Sequence, residues 1–132
     1  MSEWNIVVRL LTAAVAGALV GLEREVHGKD AGMRTFALVS LGACVFGILS
    51  GTVTGAPDPT RIAAQVVSGI GFLGAGVIMR GKSHVIGLTT AATMWVAAAV
   101  GLAIAYGRFA LGIATTLIVL VVLFIPHIRR RQ

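Results

Sequence analysis

Acidic side chains are scarce in this sequence: 5 Asp and Glu stand against 11 Lys and Arg in 132 residues, and none follows Asp58. The second half of the chain therefore offers no carboxylate for general acid or base work, and no apolar run contains paired acids. Cysteine is nearly missing as well. Cys44 stands alone in the apolar run 36–49, which excludes an internal disulfide and leaves a thiolate metal site without a second sulfur. It reads as a small core residue. The GxSxG and HExxH patterns are absent, and His27, His84 and His127 fall in loops or at helix ends. The expectation is a protein that is not an enzyme and needs no cofactor. Glu23, Glu25 and Asp30 supply hard oxygens of the kind Mg²⁺ and Ca²⁺ accept, but their spacing matches no standard loop and each has a basic neighbour, so no dedicated metal site is expected.

Charge of either sign is thin. Only 12% of the residues are charged, about half the share of an average soluble domain, while 57% are apolar and the mean hydropathy is +0.93. A domain this small cannot hide that much apolar surface inside itself. Lipid is its natural solvent. The net charge of +6 would suggest nucleic acid in a soluble protein, but here the basic residues sit at the edges of apolar runs, where they anchor at headgroups and set topology. Membrane lipid is the expected partner and nucleic acid is not. The N-terminus carries Glu3 and no basic cluster, so the first apolar run is expected to be retained rather than cleaved as a secretory signal.

Measured against a hydrocarbon core of about 30 Å, crossed by about 20 helical residues, the runs give five candidate spans: 4–22, 33–54, 62–79, 85–105 and 109–125. The fold class is thus all-α, a single transmembrane domain made of an up-and-down bundle with short loops. One side collects Arg24, Lys29, Arg34, Arg80, Lys82, Arg129, Arg130 and Arg131; the other holds Arg9, Arg61 and Arg108. That bias places the N-terminus outside and the C-terminus inside.

Gly69-x-Gly71-x-x-Gly74 spells a dinucleotide fingerprint, yet it lies mid-span with no preceding strand and no later acid, so a nucleotide site is excluded. As a helix, the segment sets Gly69 and Gly76 on one side and Gly71, Gly74, Ala63, Ala64 and Ala75 roughly opposite. Two thin faces predict that the third helix is the central one. Gly17-x-x-x-Gly21 and the series Gly47, Gly51, Gly55 make further small faces, and a homodimer is expected with the first or second helix as candidate seam.

Polar residues within the spans are the functional candidates. The charge-free part of the first span, 10–22, covers only about 20 Å, so Arg9 or Glu23 must enter the membrane. Arg9 can snorkel outward with Trp4 at that interface, which leaves Glu23, expected to pair with Arg34 across the inner loop. Gln65, Ser68, Thr89, Thr90 and Thr93 want partners inside the bundle; interhelical bonding is the ordinary role, a polar transport path the alternative.

Four motifs in order, Gly21-Leu22-Glu23-Arg24-Glu25, Ala31-Gly32-Met33-Arg34-Thr35, the run from Gly69 through Gly71, Gly74 and Gly76 to Ile78, and Gly87-Leu88-Thr89-Thr90-Ala91-Ala92-Thr93-Met94-Trp95, resemble the bacterial MgtC/SapB family over about 10–123. The resemblance implies an inner-membrane protein linked to growth at low Mg²⁺ and, in intracellular pathogens, to survival in macrophages. It implies action by partner binding, on the F-type ATP synthase or a P-type Mg²⁺ pump. It adds Arg24, Thr35 and Trp95 to the candidates. Two departures stand out: many members continue into a soluble C-terminal domain, whereas this sequence ends at Arg129-Arg130-Arg131-Gln132, and Thr89 and Val96 stand where virulence-associated members often have Asn and Cys. A short member is expected, a modulator of a membrane complex or, alternatively, a small oligomeric transporter. Fusion of a periplasmically active reporter to Gln132 is expected to give no activity, and a cytoplasmic fluorescent reporter at the same site to shine; the opposite pair of results would reverse the topology.

Overall fold

The computed structural model describes residues 1–53, 55, 57–80 and 85–126, with Arg80 described by its backbone alone. Among them lie five helices and one small ribbon: α1 (Glu3–Val26), α2 (Met33–Thr52), α3 (Arg61–Val77), β1 (Met79–Arg80), β2 (Val85–Ile86), α4 (Leu88–Ala105) and α5 (Phe109–Leu123). Lys82, His84, His127 and Arg129 to Arg131, assigned above to an inner loop and tail, lie outside the described residues, as does Thr54 at the expected end of the second span. Helices α1, α2 and α4 are long and apolar enough to cross a membrane; α3 and α5 are apolar but shorter, at 17 and 15 residues.

Helix α1 begins where Ser2 accepts a hydrogen bond from the Asn5 amide at 3.2 Å, with Glu3 in the first turn facing the positive end of the helix dipole. It runs a turn beyond the expected span, because Glu23 and Arg24 satisfy each other and continue the helix. Its end is a Schellman motif: Lys29 N–H donates to the Arg24 carbonyl and Gly28 N–H to that of Glu25, both at 3.0 Å, with Gly28 in the left-handed region at φ +72°. Helix α4 ends the same way, with bonds from Arg108 to Ala103 and Gly107 to Ile104 and Gly107 at φ +74°. The third and fourth spans are each shorter than hydropathy suggests. Met79 and Arg80 pair antiparallel with Ile86 and Val85, so apolar residues that a hydropathy sum assigns to helix ends make their backbone bonds across a ribbon.

The expectation that the third helix is central is corrected. Helix α4 packs against all four others, whereas α3 touches chiefly α4 and α2. The reason lies in which glycines meet a neighbour. Only Gly74 on α3 approaches another helix, with Ala91 of α4 at van der Waals distance from a methyl placed there; Gly69, Gly71 and Gly76 face nothing within 4 Å. The α3 wheel divides differently too: Ala63, Ile70 and Gly74 are buried, while Ala64, Gly71 and Ala75 turn outward.

The closest approaches are made by α1 and α4 onto α2. A methyl group at Gly17 would overlap the Phe36 carbonyl and lie 2.9 Å from Ser40 Cβ; one at Gly101 would overlap the Ser40 carbonyl and lie 2.9 Å from Ala43 Cβ. Gly21 meets the backbone of Gly32 and Met33 in the same manner. Around these contacts the core is made of small residues, Ala13, Ala16, Ala43, Ala97, Ala98 and Ala105, with Phe36 and Ile104 fully enclosed. Large apolar side chains such as Leu11, Val15, Leu38, Phe72 and Leu117 face outward. In water the order would be reversed. Small inside and large outside is the arrangement of helices packed in lipid, and the chain is a membrane protein.

Gly17→Val and Gly101→Val are expected to lower stability by about 1–3 kcal/mol or more, since backbone carbonyls cannot step aside. Gly42→Ala, which meets no atom within 4 Å, is expected to be neutral or to stabilise by about 0.5–1 kcal/mol. Thermal unfolding in mild detergent measures both.

Candidate functional site

The last turn of α1 carries a buried ion pair. Arg24 Nε donates to Glu23 Oε2 at 2.7 Å and Arg24 Nη2 to Glu23 Oε1 at 3.1 Å, a two-pronged contact between side chains only 7% and 6% exposed. His27, one turn on and half exposed, places Nδ1 at 2.9 Å from Glu23 Oε1 and 2.8 Å from the Glu23 carbonyl. The expected partner of Glu23 was Arg34. That expectation is corrected: Arg34 is exposed in the first turn of α2 and makes no ion pair among the described residues. Because α1 stays helical through Val26, the adjacent guanidinium is within reach, and the Schellman turn directs α2 back with Arg34 outside.

The polar candidates do not converge. Thr90 and Thr93 are buried, and Thr93 Oγ1 donates to the Thr89 carbonyl at 2.6 Å, while Thr89 and Trp95 are exposed and Thr35 is half-buried. Gln65 and Ser68 are exposed on the outer face of α3. Two apolar grooves flank α4. One, of about 460 Å³ between α2 and α3, contains Gln65; the other, of about 480 Å³ between α4 and α5, contains Thr89, Thr93 and Thr115. Neither contains Ser68 or the Glu23–Arg24 pair. Among the described residues no three His, Cys, Asp or Glu side chains gather at one point.

A second polar knot, at the opposite end of the bundle, was not read from the sequence. Ser50, at 3% exposure, donates from Oγ to the Pro59 carbonyl at 2.6 Å and accepts from the amides of Ile62 and Ala63 at 3.1 and 3.2 Å. It caps the N-terminus of α3 from another helix. The residue before α3, Thr60, directs its amide and hydroxyl to Asp58 instead, at 2.9 and 2.6 Å. Those two bonds hold the exposed Asp58 carboxyl below its usual range. Tyr106 OH also donates to the Pro59 carbonyl, at 3.0 Å, tying the end of α4 to the same loop. Arg9 Nη1 caps α4 through the Ala105 carbonyl at 2.6 Å, with its guanidinium 6.0 Å from the centre of the Phe109 ring. The four-residue spacing of Glu23 and His27 is a signal that would have found their contact had the first helix been carried past Leu22. Ser50 and Tyr106 carried no local signal, since each acts on a residue at least nine positions away.

With this geometry in place, comparison with known proteins gives the family. The MgtC family profile matches residues 10–131. The chain belongs to the MgtC family. It is 53% identical over 114 residues to Protein MgtC of Salmonella typhimurium (strain LT2), covering 86% of this chain and 49% of that protein. Protein MgtC of Brucella abortus is 45% identical over 113 residues, 86% of this chain and 48% of the relative. An Escherichia coli (strain K12) protein named "Putative magnesium transporter YhiD" is 43% identical over 129 residues, 92% of this chain and 60% of its own length. The chain thus spans about half the length of the curated MgtC relatives it matches. No solved structure is significantly similar to it.

Glu23→Gln is expected to destabilise the protein by about 3–5 kcal/mol, because Arg24 is left buried and charged without its partner. The Glu23→Gln/Arg24→Gln pair is expected to recover part of the loss, and Arg34→Gln to stay within about 0.5 kcal/mol of the parent. Unfolding curves in detergent for the four proteins decide it.

Proposed function

We propose that the chain is a multi-pass inner-membrane protein of Mg²⁺ homeostasis, that it catalyses no reaction, and that it modulates a larger membrane complex, the F-type ATP synthase or a P-type Mg²⁺ pump. In this reading all five helices cross, with the N-terminus outside and the C-terminus inside. The observation that carries it is the placement of the polar groups. The Glu23–Arg24 pair closes on itself, and Gln65, Ser68 and the α4 threonines lie on separate sides of the bundle, so among the described residues a single subunit offers no continuous polar path. A protein without such a path acts through its surface, and here that surface is large exposed side chains on every helix together with a basic inner rim that includes Arg34.

The second reading is a small oligomeric transporter of an ion such as Mg²⁺. It is favoured by the printed name of the Escherichia coli relative. Two measurements separate them. Purification of the tagged chain from native membranes in mild detergent is expected to bring down subunits of an ATP synthase or a pump, and proteoliposomes of the chain alone are expected to show no Mg²⁺ flux. Flux at normal rates with no recovered partner would replace modulator by transporter.

A further inference from the structure

The glycine faces of α1 and α2, expected from the sequence to form a homodimer seam, are used inside the bundle: Gly17 and Gly21 press on α2, and Gly47 presses on Ala105 of α4. One charge, by contrast, is left uncompensated. Arg9 leaves α1 sideways and reaches the corner where α4 turns into α5. Its Nη1 donates to the Ala105 carbonyl at 2.6 Å, a neutral acceptor, and its Nε is buried with no hydrogen-bond partner among the described residues. Nη2 is not enclosed. It lies beside Gly107, where a methyl group placed on the glycine would be 3.2 Å away, and it makes no hydrogen bond among the described residues.

No acid of the chain neutralises this cation. All five Asp and Glu lie among the described residues. Glu23 pairs with Arg24, Glu25 lies against Gly32 and Asp30 follows the end of α1, all at the far end of the bundle. Asp58 is held by Thr60, and Glu3 is in no ion pair among the described residues. The surroundings of Arg9 add more charge of its own sign. Arg108, exposed, stands between the two residues that flank the guanidinium, Gly107 and Phe109. Helix α5 begins there with no side chain capping its first turn, so the positive end of its dipole faces the same corner. Near hydrocarbon an unpaired guanidinium attracts an anion strongly, and here that anion has to come from outside the chain.

The layer in which the corner sits identifies the anion. It is level with the last carbonyls of α4, next to the exposed Tyr106, and the exposed Trp4 stands five residues, or about 7.5 Å, further out on α1. Interfacial aromatic side chains mark the headgroup layer of a bilayer, where phospholipid phosphate is the abundant anion. Leu11 and Val15 of α1 and Leu111 and Leu117 of α5 are exposed apolar side chains along which acyl chains can run. A zwitterionic headgroup would bring its own ammonium to a corner with no acid to receive it, so the arrangement favours an anionic lipid.

We propose that the corner made by Arg9, Gly107, Arg108 and Phe109 binds the phosphate of one anionic phospholipid, with Arg9 Nη2 and the Arg108 guanidinium as donors. The proposal rests on the reading that α1, α4 and α5 cross the bilayer, but not on which side the N-terminus faces, since both leaflets carry phospholipid.

The test uses the full chain, purified in mild detergent and mixed with equal amounts of phosphatidylglycerol and phosphatidylcholine of the same acyl chains. Native mass spectrometry is expected to show one phosphatidylglycerol retained per chain, at least several-fold over phosphatidylcholine. Arg9→Gln and, separately, Arg108→Gln are expected to lower that preference several-fold, and Arg61→Gln, at the start of α3, to leave it unchanged. Arg108 is exposed and its side chain bonds to nothing among the described residues, so its variant tests the site even if loss of Arg9 unfolds the corner. Equal retention of the two lipids, or a preference that both variants keep, would overturn the site. So would inorganic phosphate that binds at micromolar concentration and excludes the lipid, which would make the ligand a free anion. A membrane-impermeant maleimide is applied to Leu117→Cys in native membranes, with Cys44→Ala as background. Rapid labelling would overturn the crossing of α5 and the site with it, whereas a protected cysteine together with no lipid preference would overturn the site alone.

Discussion

The bundle depends on how closely α1 and α4 come to α2. Gly17 on one side and Gly101 on the other leave no room for a side chain, so the Phe36 and Ser40 carbonyls are met directly by bare backbone. In lipid there is no hydrophobic driving force to hold helices together, and close van der Waals contact over a small-residue interface has to supply it. Once α2 is held in this way, the rest is placed. Ser40 is enclosed at the crossing, Phe36 fills the space beside Val20 and Met94, and α4 becomes the helix that everything else touches. Helices α3 and α5 are then added to α4 as outer members.

The polar residues follow the same geometry. At one end, α1 stays helical through Val26 where Glu23 and Arg24 neutralise each other, with His27 Nδ1 2.9 Å from the carboxylate. At the other end the helix termini are capped from a distance: Ser50 serves α3, Arg9 serves α4, and Tyr106 shares the Pro59 carbonyl with Ser50. Each contact answers a backbone group that lipid cannot satisfy. What is left over among the described residues is Arg9 Nε and Ser40 Oγ, buried without a hydrogen-bond partner, and Gln65 and Ser68, exposed on α3.

Five helices and most of their limits could be read from apolar runs broken by Gly, Pro and charge. The exceptions are instructive. Hydropathy placed Met79 at the end of the third span and Val85 and Ile86 at the start of the fourth, because a sum over side chains does not say where backbone hydrogen bonds go. The wheel of α3 showed two thin faces, but the wheel cannot tell a face that meets Ala91 from one that meets nothing. Glu23 was expected to enter the membrane and pair with Arg34 across a loop, but the adjacent Arg24 is its partner, since whether α1 stops at Leu22 or at Val26 decides which guanidinium is in reach.

By itself the sequence determined the solvent, the number of helices and the family, because each of these depends on local quantities: apolar content per window, turn residues between windows, and motifs of a few residues in a fixed order. The tertiary structure alone decided that α4 is the axis of the bundle, that Ser50 caps a helix it does not belong to, and that α3 keeps an open face. Those facts turn on which surfaces come within about 4 Å of one another. A helix sequence limits the candidates, but the choice among small faces of similar shape is made only when all five helices compete for the same neighbours.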